Sequence, residues 1–294
     1  MYRLIGAASG FGASIRACEE GPEILKENNL LEKLREEGIS VSDFKILYPN
    51  IRAKTEEIPL SKSLPIIHEF NLRLADEVEK TLDSGEFPII LGGDHSIAVG
   101  TWNAVYQFFN LPLGLIWIDA HMDSHTPETT PSGAWHGMPL AGLLGYGKPE
   151  MAKLKSKEPV LRPENLCLVG IRSFEKGEAE LLQRLKVRIF FEDEIKEKGI
   201  EAVLKEALTH VKRHTKAIGV SLDLDVISPE EAPGVGSPEE GGLSAKELIK
   251  ALALLKNEPT LKAFEMVEYN PKRNQHLKTA ELCFDILSTV LKSI

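Results

Sequence analysis

Leu115-Ile116-Trp117-Ile118-Asp119-Ala120-His121-Met122-Asp123 runs from four apolar residues straight into three ligand-type side chains at alternate positions. An uninterrupted apolar run marks a strand covered on both faces. In extended chain alternate residues point the same way. The stretch therefore reads as a buried parallel strand whose carboxyl end aims Asp119, His121 and Asp123 at one point. The run 217–222 followed by Asp223-Leu224-Asp225 repeats the design. Burying so many charges unpaired would cost on the order of several kcal/mol each. A cluster of divalent cations is the natural partner.

Working outward, eight apolar runs read as strands: 3–7, 44–48, 87–91, 113–118, 166–171, 187–191, 217–222 and 261–267. Helical patterns lie between them at 21–37, 63–84, 96–109, 177–186, 199–214, 244–257 and 278–294, and Ser244 with Glu247 has the spacing of a capping box. Even alternation over 294 residues predicts a single α/β domain spanning 1–294. Parallel strands joined by helical crossovers make it a three-layer α/β/α sandwich around a mostly parallel sheet of roughly eight strands. Two Pro/Thr/Ser/Gly-rich loops, 124–137 and 228–242, follow the two carboxylate runs. Because ligands bind at the carboxyl ends of strands in such sheets, both loops should overhang the site.

Composition excludes several partners. A net charge of −9 without a Lys/Arg-rich block argues against nucleic acid and anionic membranes. There is no apolar stretch of bilayer-spanning length, and the N-terminal run has no signal-peptide architecture. Cys18, Cys167 and Cys283 are an odd, widely spaced set and read as reduced packing residues. The expectation is a cytoplasmic protein.

A third fragment, Gly92-Gly93-Asp94-His95-Ser96, closes the run 87–91. Its glycines permit a tight turn that leaves His95 at another strand end. The full donor set is then His95, Asp119, His121, Asp123, Asp223 and Asp225. Four carboxylates and two imidazoles without a thiolate are too anionic for one structural Zn²⁺. They suit Mn²⁺ best, with Fe, Co or Ni as alternatives. Two such ions about 3.5–4 Å apart can bridge a water and lower its pKa for attack on carbon or phosphorus.

These motifs, with Ser221-Leu222-Asp223-Leu224-Asp225 and Glu268-Tyr269-Asn270-Pro271, resemble the arginase/agmatinase (ureohydrolase) family of binuclear manganese enzymes, most closely its bacterial-type arginases. The resemblance runs from Gly6-Ala7 and Gly21-Pro22 to the last helical pattern. It implies two Mn²⁺ per subunit. One would be bound by His95, Asp119, Asp123 and Asp223, the other by Asp119, His121, Asp223 and Asp225. It implies that Asp123 also contacts a metal-bridging hydroxide that attacks the guanidinium carbon, that His136 relays protons, and that Glu268 grips the guanidinium. Planar guanidinium pairs bidentately with carboxylate, and a histidine titrating near neutrality suits proton delivery to a leaving amine.

Substrate choice rests elsewhere. In Gly170-Ile171-Arg172-Ser173-Phe174-Glu175-Lys176-Gly177-Glu178, the resemblance gives Glu175 and Glu178 to the substrate α-amino group, and it gives Ser132 to the α-carboxylate. Two positions depart from the arginase pattern: His125 and Ala134 stand where asparagines are usual. Arginine hydrolysis to ornithine and urea is therefore the first reading. Agmatine or another guanidine is the second, and a catalytically silent metal-binding homologue the third. The family implies a homo-oligomer, a trimer or hexamer.

Simpler readings attach to other residues. Asp94 is either a carboxylate orienting a ligand or a turn cap. Trp117 and Trp135 read as packing, and His68, His210, His214 and His276 as surface or satisfied histidines. The charged stretch 192–201 reads as a solvated loop and helix face.

Overall fold

The computed structural model describes residues 1–51, 57–273 and 277–291. Its eight strands are β1 (Tyr2–Ala7), β2 (Val41–Leu47), β3 (Phe87–Gly92), β4 (Leu113–Ile118), β5 (Leu161–Ile171), β6 (Arg188–Phe191), β7 (Ala217–Asp223) and β8 (Leu261–Val267). They form one sheet in the order β2-β1-β3-β8-β7-β4-β5-β6. Each of its pairings is parallel. Every residue of β4 and of β7 is buried, as continuous apolar runs require of central strands. The order places β3, β8, β7 and β4 side by side. The carboxyl ends that carry His95, Glu268, Asp223 and Asp119 are thus neighbours.

Helices cover both faces. They are α1 (Gly21–Glu27), α2 (Leu30–Glu36), α3 (Leu64–Asp83), α4 (Ala98–Phe109), α5 (Pro139–Leu143), α6 (Pro149–Ala152), α7 (Lys176–Leu185), α8 (Glu192–Lys198), α9 (Ile200–Val211), α10 (Ala245–Leu252) and α11 (Lys278–Val290). One core joins Ile116, Ile118, Val220 and Leu222 of the sheet to α2, α9, α10 and α11. The other joins Leu115, Trp117, Ile90 and Ala263 to α3, α4 and α5. The alternation along β4 splits its side chains between the two cores, which is the three-layer sandwich.

Several local expectations are corrected. The pattern 21–37 is two helices: the Asn28 side chain donates to the Ile24 carbonyl and Asn29 turns left-handed at φ 58°. The Ser244 hydroxyl makes no cap hydrogen bond, although α10 starts where expected. The stretch 192–201 is largely helical, because α8 carries acids in its first turn and Lys196–Glu192 and Lys198–Glu194 pairs along it. The short helices α5 and α6 have no periodic signature; each begins at a proline. The last helix is described to Val290, and residues 292–294 and His276 lie outside the described residues.

Candidate metal centre and active site

At the end of β3 the chain turns sharply. A Cβ at Gly93 would collide with the Ser9 carbonyl, so only glycine fits. Asp94 then caps the following 3-10 turn by accepting from the Ser96 amide at 2.9 Å. Its second oxygen accepts from the Gly12 amide at 2.7 Å. It is thus a turn cap, and it also ties the 10–14 loop to the site.

The turn leaves His95 buried, its Nδ1 3.2 Å from Asp119 Oδ2, 3.1 Å from Asp123 Oδ2 and 3.3 Å from Asp223 Oδ2. A second group lies beside it: His121 Nδ1 is 3.0 Å from Asp225 Oδ2 and 3.5 Å from Asp119 Oδ1. Asp119 faces both groups, one oxygen to each. Asp223 faces the first, and its Oδ1 accepts from the Asp225 amide at 2.8 Å. The structure thus brings all six sequence-selected donors together.

His95 is prepared as a ligand. Its Nε2 is 2.9 Å from Ser221 Oγ, and that hydroxyl donates to Glu265 Oε1 at 2.7 Å. Trp102 Nε1 donates to the same oxygen at 3.1 Å. With the serine proton committed to Glu265, Nε2 donates to Ser221, and Nδ1 is the nitrogen that faces the carboxylates and would ligate a cation. That buried Nδ1 has no well-formed hydrogen bond of its own. An orphaned imidazole nitrogen inside a ring of carboxylates fits a divalent first-row cation. Trp117, read as packing, does more: it stacks on His95 at 4.0 Å and its Nε1 donates to Asp119 Oδ2 at 2.9 Å. Trp135 is packing, with its Nε1 on the Leu60 carbonyl.

The electrostatics point the same way. Burial pushes Asp223 well above the carboxylate range and Asp225 up to about 6, with neighbouring carboxylates adding to both. Burial also raises Asp123. Burial opposes ionisation of Asp119 too, but His121 and His95 hold it below its usual range. Both imidazoles are pushed upward by the carboxylates against the cost of burial. Such a field is organised to surround positive charge.

Glu268 follows β8 and stands apart from both groups. Its Oε1 accepts from the His95 amide at 2.9 Å and lies 2.9 Å from His136 Nδ1. Its Oε2 accepts from the Cys18 thiol at 3.1 Å. Cys18, read only as packing, is therefore a donor to the site; Cys167 and Cys283 are buried and free. Burial opposes the charge on His136, but Glu268 raises it to about 9. Glu268 and Asp123 both adopt left-handed backbone, φ 65° and 45°. Each such residue costs about 1–3 kcal/mol and is held by its surroundings. For Glu268 these are the bonds of its amide to the Gly93 carbonyl and of the Gly236 amide to its own carbonyl.

A cavity of about 270 Å³ opens over these residues and is lined also by Ser132, Ala134, His125, Glu175, Glu178 and Glu239. Both long loops thus reach the site. His125 Nε2 lies 2.9 Å from Glu175 Oε2, and Nδ1 3.1 Å from Thr129 Oγ1. Ser132 Oγ accepts from the Ala134 amide at 3.2 Å. Glu175 and Glu178 form the capping box of α7. Glu178 is buried and pushed up to about 8, chiefly by that burial.

Sequence reading gave no role to Ser221, Glu265, Cys18 or Glu239. Glu265 carried a signal, a charge inside the apolar part 263–267 of the last strand; Glu239, in a loop with a neighbouring acid, carried none. Among the described residues no helix is long and apolar enough to cross a membrane.

A parallel α/β/α sandwich with two His/Asp donor groups sharing a carboxylate at its strand ends is the frame of a binuclear metallohydrolase. The comparisons with known proteins narrow this. A model described as the arginase family matches residues 2–292. Arginase of Brevibacillus brevis is 35% identical over 287 residues, covering 98% of this chain and 96% of its own. Arginase of Bacillus caldovelox is 34% identical over 289 residues, covering 98% and 96%. The crystal structure of Bacillus subtilis arginase superposes with a TM-score of 0.90 at 33% identity, covering 99% of this chain and 98% of that one. The chain belongs to the arginase family of ureohydrolases.

Proposed function

We propose that the protein hydrolyses L-arginine to L-ornithine and urea with two Mn²⁺ per subunit. The observation that carries this reading is that Glu268, paired with His136, lines the same cavity as both donor groups. A carboxylate beside an imidazole, next to a cation-binding cluster, suits a planar cationic substrate that must lose an amine. Arginases of Brevibacillus and Bacillus as relatives support it.

His95, Asp119, Asp123 and Asp223 would hold one ion, and Asp119, His121, Asp223 and Asp225 the other. When bound, the pair would supply an activated water at neutral pH. Glu268 pairs with the guanidinium and fixes its plane. Asp123, in contact with His95 through one oxygen, orients the attacking water. His136, protonated because Glu268 holds it so, delivers a proton to the leaving amine. At the outer end Glu175 and Glu178 face the α-amino group, and Ser132 and His125 the carboxylate. Residues 1–294 act as one domain, on the ground that one sheet carries every site element. We also place the protein in the cytoplasm as a homo-oligomer, a trimer or hexamer, a reading that rests on the family and, for the compartment, on three free buried cysteines.

The cavity wall favours a second reading. The Ala134 side chain offers no polar group to a carboxylate, and among the described residues no Lys or Arg lines the cavity. A guanidine lacking the α-carboxylate, such as agmatine, would meet less repulsion there. Urea release from L-arginine and agmatine, measured side by side with Mn²⁺-loaded protein and Asp123→Asn, decides the matter. Turnover of arginine that is lost in the variant supports the first reading, and turnover of agmatine alone replaces it with the second. No turnover of either, with Mn²⁺ absent by metal analysis, would leave a silent homologue.

A further inference from the structure

Glu239 lies in the 228–242 loop, 118 positions from His121 in sequence, yet its Oε1 is 3.3 Å from His121 Nε2. The ring's other nitrogen, Nδ1, faces Asp225 and Asp119. His121 is thus held between the donor cluster and an outer carboxylate. Resting on the binuclear reading above, we propose that Glu239 is a positioning residue for His121, fixing its ring and tautomer and strengthening the metal bound on that side.

The chemistry follows from the imidazole itself. A neutral ring that ligates through Nδ1 must carry its proton on Nε2, and an acceptor there locks both tautomer and orientation and raises ligand basicity. His95 obtains this from Ser221, backed by buried Glu265. His121 lies beyond the end of β4 and is partly exposed. Glu239 provides the equivalent contact from the loop above.

The loop is built to hold it there. The Leu243 amide donates to the Val226 carbonyl and the Ser228 amide to the Leu243 carbonyl, closing the loop at its neck. The Arg172 guanidinium then straps the two ends of the loop together. It donates to the carbonyls of Asp225 at 2.7 Å, Val226 at 3.2 Å, Glu239 at 3.3 Å and Glu240 at 3.0 Å. One rigid fork thus fixes the backbone that carries the ligand Asp225 and the backbone that carries Glu239. This gives a role to Arg172 of the Gly170-Ile171-Arg172 motif, which the hydrolytic reading left without one.

The test is Mn²⁺ titration of metal-stripped protein by calorimetry, with bound metal counted after dialysis. Wild type, Glu239→Ala, Glu239→Gln and, as a control, Glu240→Gln at the exposed neighbouring acid are compared. Melting temperatures in chelator check that all four fold alike. We expect two equivalents for wild type and for Glu240→Gln. Glu239→Ala should keep one site unchanged and bind the second Mn²⁺ about 10–100-fold more weakly. Glu239→Gln, whose amide oxygen still accepts, should fall between. Two unchanged affinities in Glu239→Ala would overturn the role of Glu239 while leaving the binuclear site standing. Fewer than two equivalents in wild type would overturn the binuclear reading, and this proposal with it.

Discussion

The thiol of Cys18 donates to Oε2 of Glu268 at 3.1 Å, between residues 250 positions apart. Burial, with Glu268 adding to it, pushes the Cys18 pKa well up, so the sulfur keeps the proton it donates. The contact fixes one oxygen of the carboxylate that is proposed to hold the guanidinium. The other oxygen is fixed by the His95 amide and His136.

Cys18→Val should therefore loosen that carboxylate without emptying the core. A hydrogen bond of about 1 kcal/mol lost from the clamp corresponds to a roughly fivefold rise in KM. Cys18→Ser, which still donates, should recover most of it. Steady-state kinetics on the accepted guanidine decides, and an unchanged KM in Cys18→Val would make the thiol mere filling.

His136→Asn removes the proposed proton donor but leaves the cavity's shape. We expect kcat to fall about 10²–10⁴-fold, the range for loss of a positioned general acid. KM should stay within a few-fold, because Glu268 remains anchored by the His95 amide and Cys18. A variant that kept kcat but lost affinity would instead make His136 a binding group.

Gly219 in the middle of β7 has no side chain because the Trp102 ring occupies the space; a Cβ there would fall inside the indole. Gly219→Ala should cost about 1–3 kcal/mol of stability, as overpacking of a tight core does. It should also weaken Mn²⁺ binding, since the displaced Trp102 is a donor to Glu265, which accepts from Ser221 behind His95. Calorimetric melting and metal titration read the two effects separately. A stable variant would mean that the tryptophan moves freely.

Glu178 is pushed up to about 8 by burial, against about 4.3 in an unfolded chain. The folded state then binds more protons, so stability is greatest below pH 4 with respect to this group and declines as pH rises towards about 8. In metal-free protein Glu178→Gln should flatten that decline by up to about 4 kcal/mol between pH 5 and 8. The comparison is unfolding by urea from pH 5 to 9, wild type against variant. Parallel curves would show that the carboxyl is ionised in the fold.

Most of the strands were legible because they are short continuous apolar runs, as burial on both faces requires of a parallel sheet; the alternating edge strand β2 starts at Val41 rather than 44, and β5 starts at Leu161 rather than 166. The six donors were legible because each sits immediately beyond such a run. The break at Asn28-Asn29 was not, since an asparagine pair inside an amphipathic pattern disrupts it only through its own hydrogen bond and a left-handed residue. Ser244 and Glu247 had capping-box spacing and formed none, while Glu175 and Glu178, without a serine or threonine, formed one.

Sequence by itself determined the layers of the sandwich and which residues stand at strand ends, because both follow from local periodicity and from the cost of burying charge. The tertiary structure alone decided which strand ends are neighbours. The order β3-β8-β7-β4 sets Asp119 between two imidazoles and puts Glu268 beside His95. It alone also brought Cys18 and Glu239 to the site, for each acts through one hydrogen bond across a long stretch of chain, and such a bond leaves no mark on the local pattern of residues.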